Sequence, residues 1–383
     1  MKTLGCRAVS LMAKAMMFCL FGLLSVALGA DKVELPRVAI IQLANHTINL
    51  KVQDKIANLL RESLGEMGYD LVHLDSLRAG MRANRLRLVG EIDSAGTDQI
   101  VSQTGAEILL TGSVDIYLEQ ENPEVAISLR AYDCERHRII WVDCESTTGE
   151  DQAGLFGVGR MTDIDKLTAR VVETLLERMP TFGDTGKIQK HKPSKNDAEA
   201  ISQGRIAIVQ FDNSTEFAQA DAVVTNAVML EAWRRGYDIV EPGELSRIRT
   251  RLASDFQGGI SDTALQILRD EFGVAMVVTG SVTSFLPNRG AAIESVPEIE
   301  FTMRTIDPAG GEIMSSLSIE RDGAANETIF GSGRVLAIGE VARQAVRGGW
   351  DELIAGWLKR KSAAPKSSID GDQNAQRLIS THR

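Results

Sequence analysis

Residues 205–215, RIAIVQFDNST, nearly repeat residues 37–47, RVAIIQLANHT, at a distance of 168 positions. The agreement spreads outward at the same offset. Gly68-Tyr69-Asp70-Leu71-Val72 matches Gly236-Tyr237-Asp238-Ile239-Val240, and Leu77, Gly90, Ile92 and Gly105 match Leu245, Gly258, Ile260 and Gly273. Thr111-Gly112-Ser113-Val114 matches Thr279-Gly280-Ser281-Val282. The offset then becomes 174, which places a six-residue insertion in the second copy around residues 286–296. Beyond it Pro123-Glu124, Arg130 and Asp133 match Pro297-Glu298, Arg304 and Asp307, and Phe156-Gly157-Val158-Gly159-Arg160 matches Phe330-Gly331-Ser332-Gly333-Arg334. Each unit is about 145 residues, far longer than the ~20–50 of a solenoid repeat. Two whole domains related by duplication account for this.

Comparing the copies gives a coarse structure. Residues 37–44 and 205–211 are short β-branched apolar runs bounded by turn signals, and read as buried strands. Ile56, Leu59, Leu60, Leu64 and Met67 recur three and four apart and predict a helix; Val224, Ala227, Val228 and Ala232 stand at the equivalent places. Gly68 and Gly236 stop those helices, and residues 69–72 and 237–240 begin a further strand. A short helix opens at Thr97, or at Ser261 or Asp262, and closes at Gly105 or Gly273. Residues 107–114 and 275–282 are again strands; residues 125–132 and 139–145 form a hairpin with its turn at 133–138, and helices near 162–178 and 335–358 end the units. The expected class is α/β (α+β): two tandem domains, each a mixed sheet with helices packed against it, in the order β-α-β-α-β-β-β-α. The expected divisions are a first domain at 31–180, a polar linker at 181–204, a second domain at 205–358 and a disordered tail at 359–383.

Residues 1–30 carry Lys2, Arg7 and Lys14 ahead of an uncharged, mostly apolar run from Ala15 to Ala30, the layout of a secretory signal peptide; a retained membrane anchor is the alternative. Cys19 lies inside that run and not at its end, so no lipid anchor is expected. Cleavage would remove three positive charges and no negative ones, taking the net charge from −10 to −13. So acidic a chain is poorly suited to phosphate backbones, and nucleic acid is not expected as a partner. Only Cys134 and Cys144 would remain, too few for a disulfide scaffold.

The motif pattern, R[VI]AI[IV]Q[LF]xNxT, then GYD[LI]V, then TGSV ahead of a hairpin, resembles small α/β domains of secreted bacterial envelope proteins. That group includes the amino-terminal domain of TolB, the lipoprotein activators of penicillin-binding proteins and the curli secretion channel protein. The resemblance covers both repeats and implies a periplasmic, non-catalytic protein that docks onto envelope machinery. The chain departs from the group in having no lipid-acceptor cysteine, and residues 286–296 are too short and irregular to supply membrane-spanning strands.

No catalytic set emerges. Ser113 and Ser281 lie outside any nucleophile elbow, and His46 and His73 become Ser214 and Glu241 in the second copy. Asn45-His46-Thr47 and Asn213-Ser214-Thr215 match a glycosylation pattern, but each follows a strand and precedes a helix, where Asn serves turn or cap chemistry. Cys134, His137 and Cys144 share one hairpin without a fourth ligand, so no metal centre is assigned, and the two thiols are expected to be free. No cofactor is assigned. Gly157, Gly159 and Arg160, with Gly331, Gly333 and Arg334, are candidate anion-binding residues, since glycines before a helix can present amides. The expected function is a periplasmic accessory protein, free or peripheral to the outer membrane, whose partners are envelope proteins met where the copies differ, including residues 286–296. The alternatives are a ligand-binding protein or hydrolase with a site between the domains, and a secretion-channel subunit.

Overall fold

The opening strand of each copy forms where the apolar run predicts it, at β1 (Val38–Ile40) and β6 (Arg205–Ile208). The computed structural model describes residues 35–151, 159–182, 192–252, 259–288, 296–327 and 333–363. Residues 1–34, parts of the linker, residues 289–295 of the insertion and residues 364–383 are among those outside them. Pro36–Arg383 form one compact unit.

In repeat 1, β1 and β2 (Ala44–Asn45) are followed by α1 (Val52–Glu66), α2 (Leu74–Ala83), α3 (Ser94–Thr104), β3 (Ile108–Leu118), β4 (Glu124–Asp133), β5 (Arg138–Thr148) and α4 (Ile164–Glu177). After α5 (Lys195–Ile201), repeat 2 runs β6, β7 (Asp212–Asn213), α6 (Ala220–Arg234), α7 (Pro242–Leu252), α8 (Asp262–Phe272), β8 (Val274–Leu286), β9 (Glu298–Asp307), β10 (Glu312–Asp322) and α9 (Ile338–Ala363). Each sheet is mixed, in the order β1-β3-β4-β5 or β6-β8-β9-β10. The first strand lies parallel to the third through a helical crossover, and the last three strands form antiparallel pairs. The registers repeat as well: Ala44 faces Ser113 and Asp212 faces Ser281; Thr111 faces Arg130 and Thr279 faces Arg304. The class is the expected one of two similar mixed α/β domains.

Two details of the expected order change. The strand at 69–72 shrinks to a single parallel bridge, Val38 with Leu71, and that at 237–240 to Ile206 with Ile239. The chain turns into a helix too soon for more: His73 already caps α2, its side chain accepting from the Asp75 amide, and Pro242 opens α7. Those two helices are the second change. Their apolar faces are narrow, with Leu77 alone among large side chains fully buried in α2, so periodicity did not reveal them. Within residues 181–204, α5 is pinned by Asp197, which accepts from Tyr237 Oη at 3.0 Å, Trp350 Nε1 at 3.2 Å and Arg235 Nη1 at 3.2 Å.

The Asn-x-Thr turns are the same in both copies. Asn45 Oδ1 accepts from the Thr47 amide and hydroxyl at 3.0 and 2.8 Å, and Asn213 Oδ1 from those of Thr215 at 2.9 and 2.8 Å. Gly105 and Gly273 close α3 and α8 in the left-handed conformation. The glycine of TGSV answers to strand packing. A Cβ on Gly112 would lie 1.9 Å from Ser128 O, and one on Gly280 would lie 1.9 Å from Thr302 O and 2.4 Å from the Phe211 ring. Alanine at either position is expected to cost about 1–3 kcal/mol or more by overpacking, read as a lowered urea midpoint; a wild-type midpoint would contradict the account.

Candidate functional site: one sheet face, engaged in repeat 1 and open in repeat 2

The helix after the opening strands differs sharply between the repeats. In α1 the buried residues are Val52, Ile56, Leu60 and Leu64, one stripe against its own sheet. The matching stripe in α6 is Ala220, Val224, Val228 and Ala232, yet Ala222, Val223, Ala227 and Leu230 are buried too. Those positions in α1 hold Asp54, Lys55, Leu59 and Glu62. α6 is thus apolar all round because it lies between two layers, its own sheet and β5 of repeat 1.

Repeat 1 meets this layer with buried polar and charged groups. Arg130 on β4 pairs with Glu241, just before α7, at 2.9 and 3.2 Å, and donates to Gly90 O at 2.6 Å. The two side chains are 5% and 1% exposed. Glu241 also accepts from the Ile92 amide at 3.3 Å, and Glu244 from the Ser94 amide at 2.7 Å. Burial pushes the Glu241 carboxyl up, against the pull of Arg130. Gly243 lets these backbones meet, since a Cβ there would lie 2.1 Å from Ile92 O.

Two more carboxyls are buried along this face. Asp115 accepts from Ser113 Oγ at 2.6 Å, from Ser128 Oγ at 2.5 Å and from Asn226 Nδ2 of α6 at 3.1 Å. Burial raises its pKa, while His46 and these donors oppose the rise. Glu124 Oε1 accepts from the Ile338 amide at 2.8 Å and so occupies the first turn of α9. Its pKa is pushed up to about 8, chiefly by burial and further by Asp151, against the pull of the Ile338 and Gly339 amides and Ser146. The cluster ties the two repeats together through Asn226 and the Ile338 amide.

Repeat 2 leaves the equivalent face open. Every residue of β4 is buried, whereas β9 alternates, with Glu300 and Arg304 exposed and Phe301 and Met303 buried. Thr283 on β8 and Ser316, Ser318, Glu320 and Asp322 on β10 are exposed as well. Arg304, at the position of Arg130, is exposed among the described residues.

Of the anion-binding candidates, Gly157 and Gly331 lie outside the described residues. Arg160 lies 3.3 Å from Glu150 and 3.8 Å from Glu121, and Gly333 packs against Asn326. Arg334 Nε is buried without a hydrogen-bond partner among the described residues. The amides at the two helix starts are taken by carboxyls: Asp163 caps α4, and Glu124 caps α9. Cys134 and Cys144 are separate, buried thiols pushed up to about 12 by burial, and His137 sits 2.9 Å from Asp98. Of the insertion, residues 289–295 lie outside the described set, while Asn288 O accepts from Gln120. Sequence reasoning missed the domain-joining set, Arg130, Glu241, Asn226 and Glu124. The signal was available in the loss of charge from Asp54 to Ala222 and from Glu62 to Leu230.

No family model matches the chain, and no curated protein matches it. Several solved structures resemble part of it. The PelC dodecamer from Paraburkholderia phytofirmans is 14% identical, the match covering 37% of this chain and 86% of that one, with a TM-score of 0.26. For the LpoB C-terminal domain from Escherichia coli the values are 19%, 33%, 93% and 0.25. For lipoprotein GNA1162 from Neisseria meningitidis they are 14%, 37%, 99% and 0.28. Such scores carry no argument about activity. Among the described residues, no helix is long and apolar enough to cross a membrane.

Proposed function

We propose that this is a non-catalytic accessory protein of the bacterial cell envelope, exported to the periplasm, that binds other envelope proteins in assembly or secretion. One observation carries the reading: the sheet face that binds protein in repeat 1 is open in repeat 2. The basic start and apolar run of residues 1–30 support the location.

The internal pair indicates the chemistry of the missing partner. It is a helical surface that offers a carboxylate to Arg304, as Glu241 does to Arg130, and amides to Glu298, as Ile338 does to Glu124. Glu300, Glu320 and Asp322 lie further along the same face, beyond Thr302, so the part of the partner that meets them is basic. A second copy of the chain is a poor match. Its α1 presents Asp54 and Glu62 where α6 presents Ala222 and Leu230, and His73 stands in place of Glu241.

A photo-crosslinking residue at Thr302 or Ser318 in living cells is expected to give a discrete adduct of the same mass, absent when the probe replaces exposed Glu62 on α1. No adduct, identical adducts from all three positions, or adducts only with a second copy of the chain would each refute the proposal.

A further inference from the structure

At the carboxyl end of β1, between α1 and α2, repeat 1 has a cleft of about 530 Å³, within the range of small-molecule sites. Ala57, Leu74 and Met81 give it accessible apolar walls, while Arg61 from α1 and Arg78 from α2 both line it. Arg61 reaches over the strand end, with Nη2 3.5 Å from Ile40 O and Nη1 3.4 Å from Ala57 O. Burial, and secondarily the charge of Arg78, hold its pKa below the ordinary arginine value. Among the described residues no carboxylate lies within ion-pair distance of either guanidinium. Several other partly buried arginines are paired: Arg178 with Asp143, Arg235 with Asp197, Arg343 with Glu340. Two like charges lining one cleft, outnumbering its single carboxylate, make it attractive to an anion.

Repeat 2 lacks the feature. Arg61 and Arg78 correspond to Met229, buried in α6, and to Ser246, which bonds Glu91 of repeat 1. There the strand-end glutamine, Gln210, is tied to Asp221 at 2.6 Å. The basic pair therefore serves no need of the shared scaffold.

We infer that this cleft binds a small amphiphilic carboxylate, its head held by Arg61 and Arg78 and its apolar stem lying along Ala57, Leu74 and Met81. Asp54 lines the same cleft and reduces its net charge to one positive unit, which suits a monocarboxylate better than a phosphate dianion. The inference is independent of the docking role, which uses the other repeat.

Octanoate titrated into the full chain, followed by calorimetry and thermal melting, is expected to bind saturably and raise the melting midpoint. Arg61→Met and Arg78→Ser install the residues that repeat 2 itself carries, and each is expected to weaken binding about tenfold or more. Arg78 is exposed, so its variant keeps the test decisive should Arg61→Met fold poorly. Absence of binding, equal binding by the two variants and wild type, or equal binding of neutral octanol would overturn the inference. Displacement of octanoate by inorganic phosphate alone at equal concentration would likewise overturn the carboxylate assignment.

Discussion

Replacing Arg130 with methionine is expected to lower the stability of the whole unit by about 3–5 kcal/mol, because it strands the buried Glu241 carboxylate without its partner. The effect should be readable as a shifted urea midpoint in the fluorescence of Trp141 in repeat 1 and Trp350 in repeat 2, both fully buried. The double variant Arg130→Met with Glu241→Leu should recover most of the loss, since an apolar pair can fill the site. Its remaining deficit comes from the Ile92 amide and the Gly90 carbonyl, which then lack their partners. The molecule supplies its own control. Arg304→Met alters the same position in repeat 2, where the side chain is exposed, and should change stability by no more than about 0.5 kcal/mol. Equal costs at Arg130 and Arg304 would mean that the buried pair does not join the domains.

Glu124 gives the second large effect, and it depends on pH. Its folded pKa of about 8 stands above the reference value of 4.5, so the folded chain holds a proton that the unfolded chain releases earlier. Stability is therefore full below pH 4.5, declines as pH rises from there, and levels off above about pH 8. At about 1.4 kcal/mol per pH unit, the decline attributable to this one carboxyl is on the order of 5 kcal/mol. Glu124→Gln keeps an oxygen that can accept from the Ile338 amide and removes the titration. Its stability should match wild type near pH 5 and exceed it near pH 8. A remaining slope is expected from Asp115, whose pKa is also raised by burial. Urea midpoints at pH 5 and pH 8 measure both. Parallel pH profiles for the two proteins would remove Glu124 from the account.

The sequence by itself determined the duplication, the class and the local chemistry of each repeat. The strand runs, the Asn45 and Asn213 turns, the glycine caps and the hairpin turn depend on residues near one another in the chain, and two copies expose that pattern twice. α2 and α7 escaped because helices with so narrow a buried face leave little periodic signal. The second strand was overestimated because a short apolar run has no register until a neighbour pairs with it. The joining of the repeats was decided only in three dimensions. Arg130 and Arg304 are the same residue in the same motif, and nothing local distinguishes them. One is buried against Glu241 and the other is exposed among the described residues, because repeat 2 packs its α6–α7 layer on the sheet face of repeat 1 while the same face of repeat 2 stays open. The same holds for Glu124, whose proton affinity is set mainly by its burial beneath a helix that begins more than two hundred residues later.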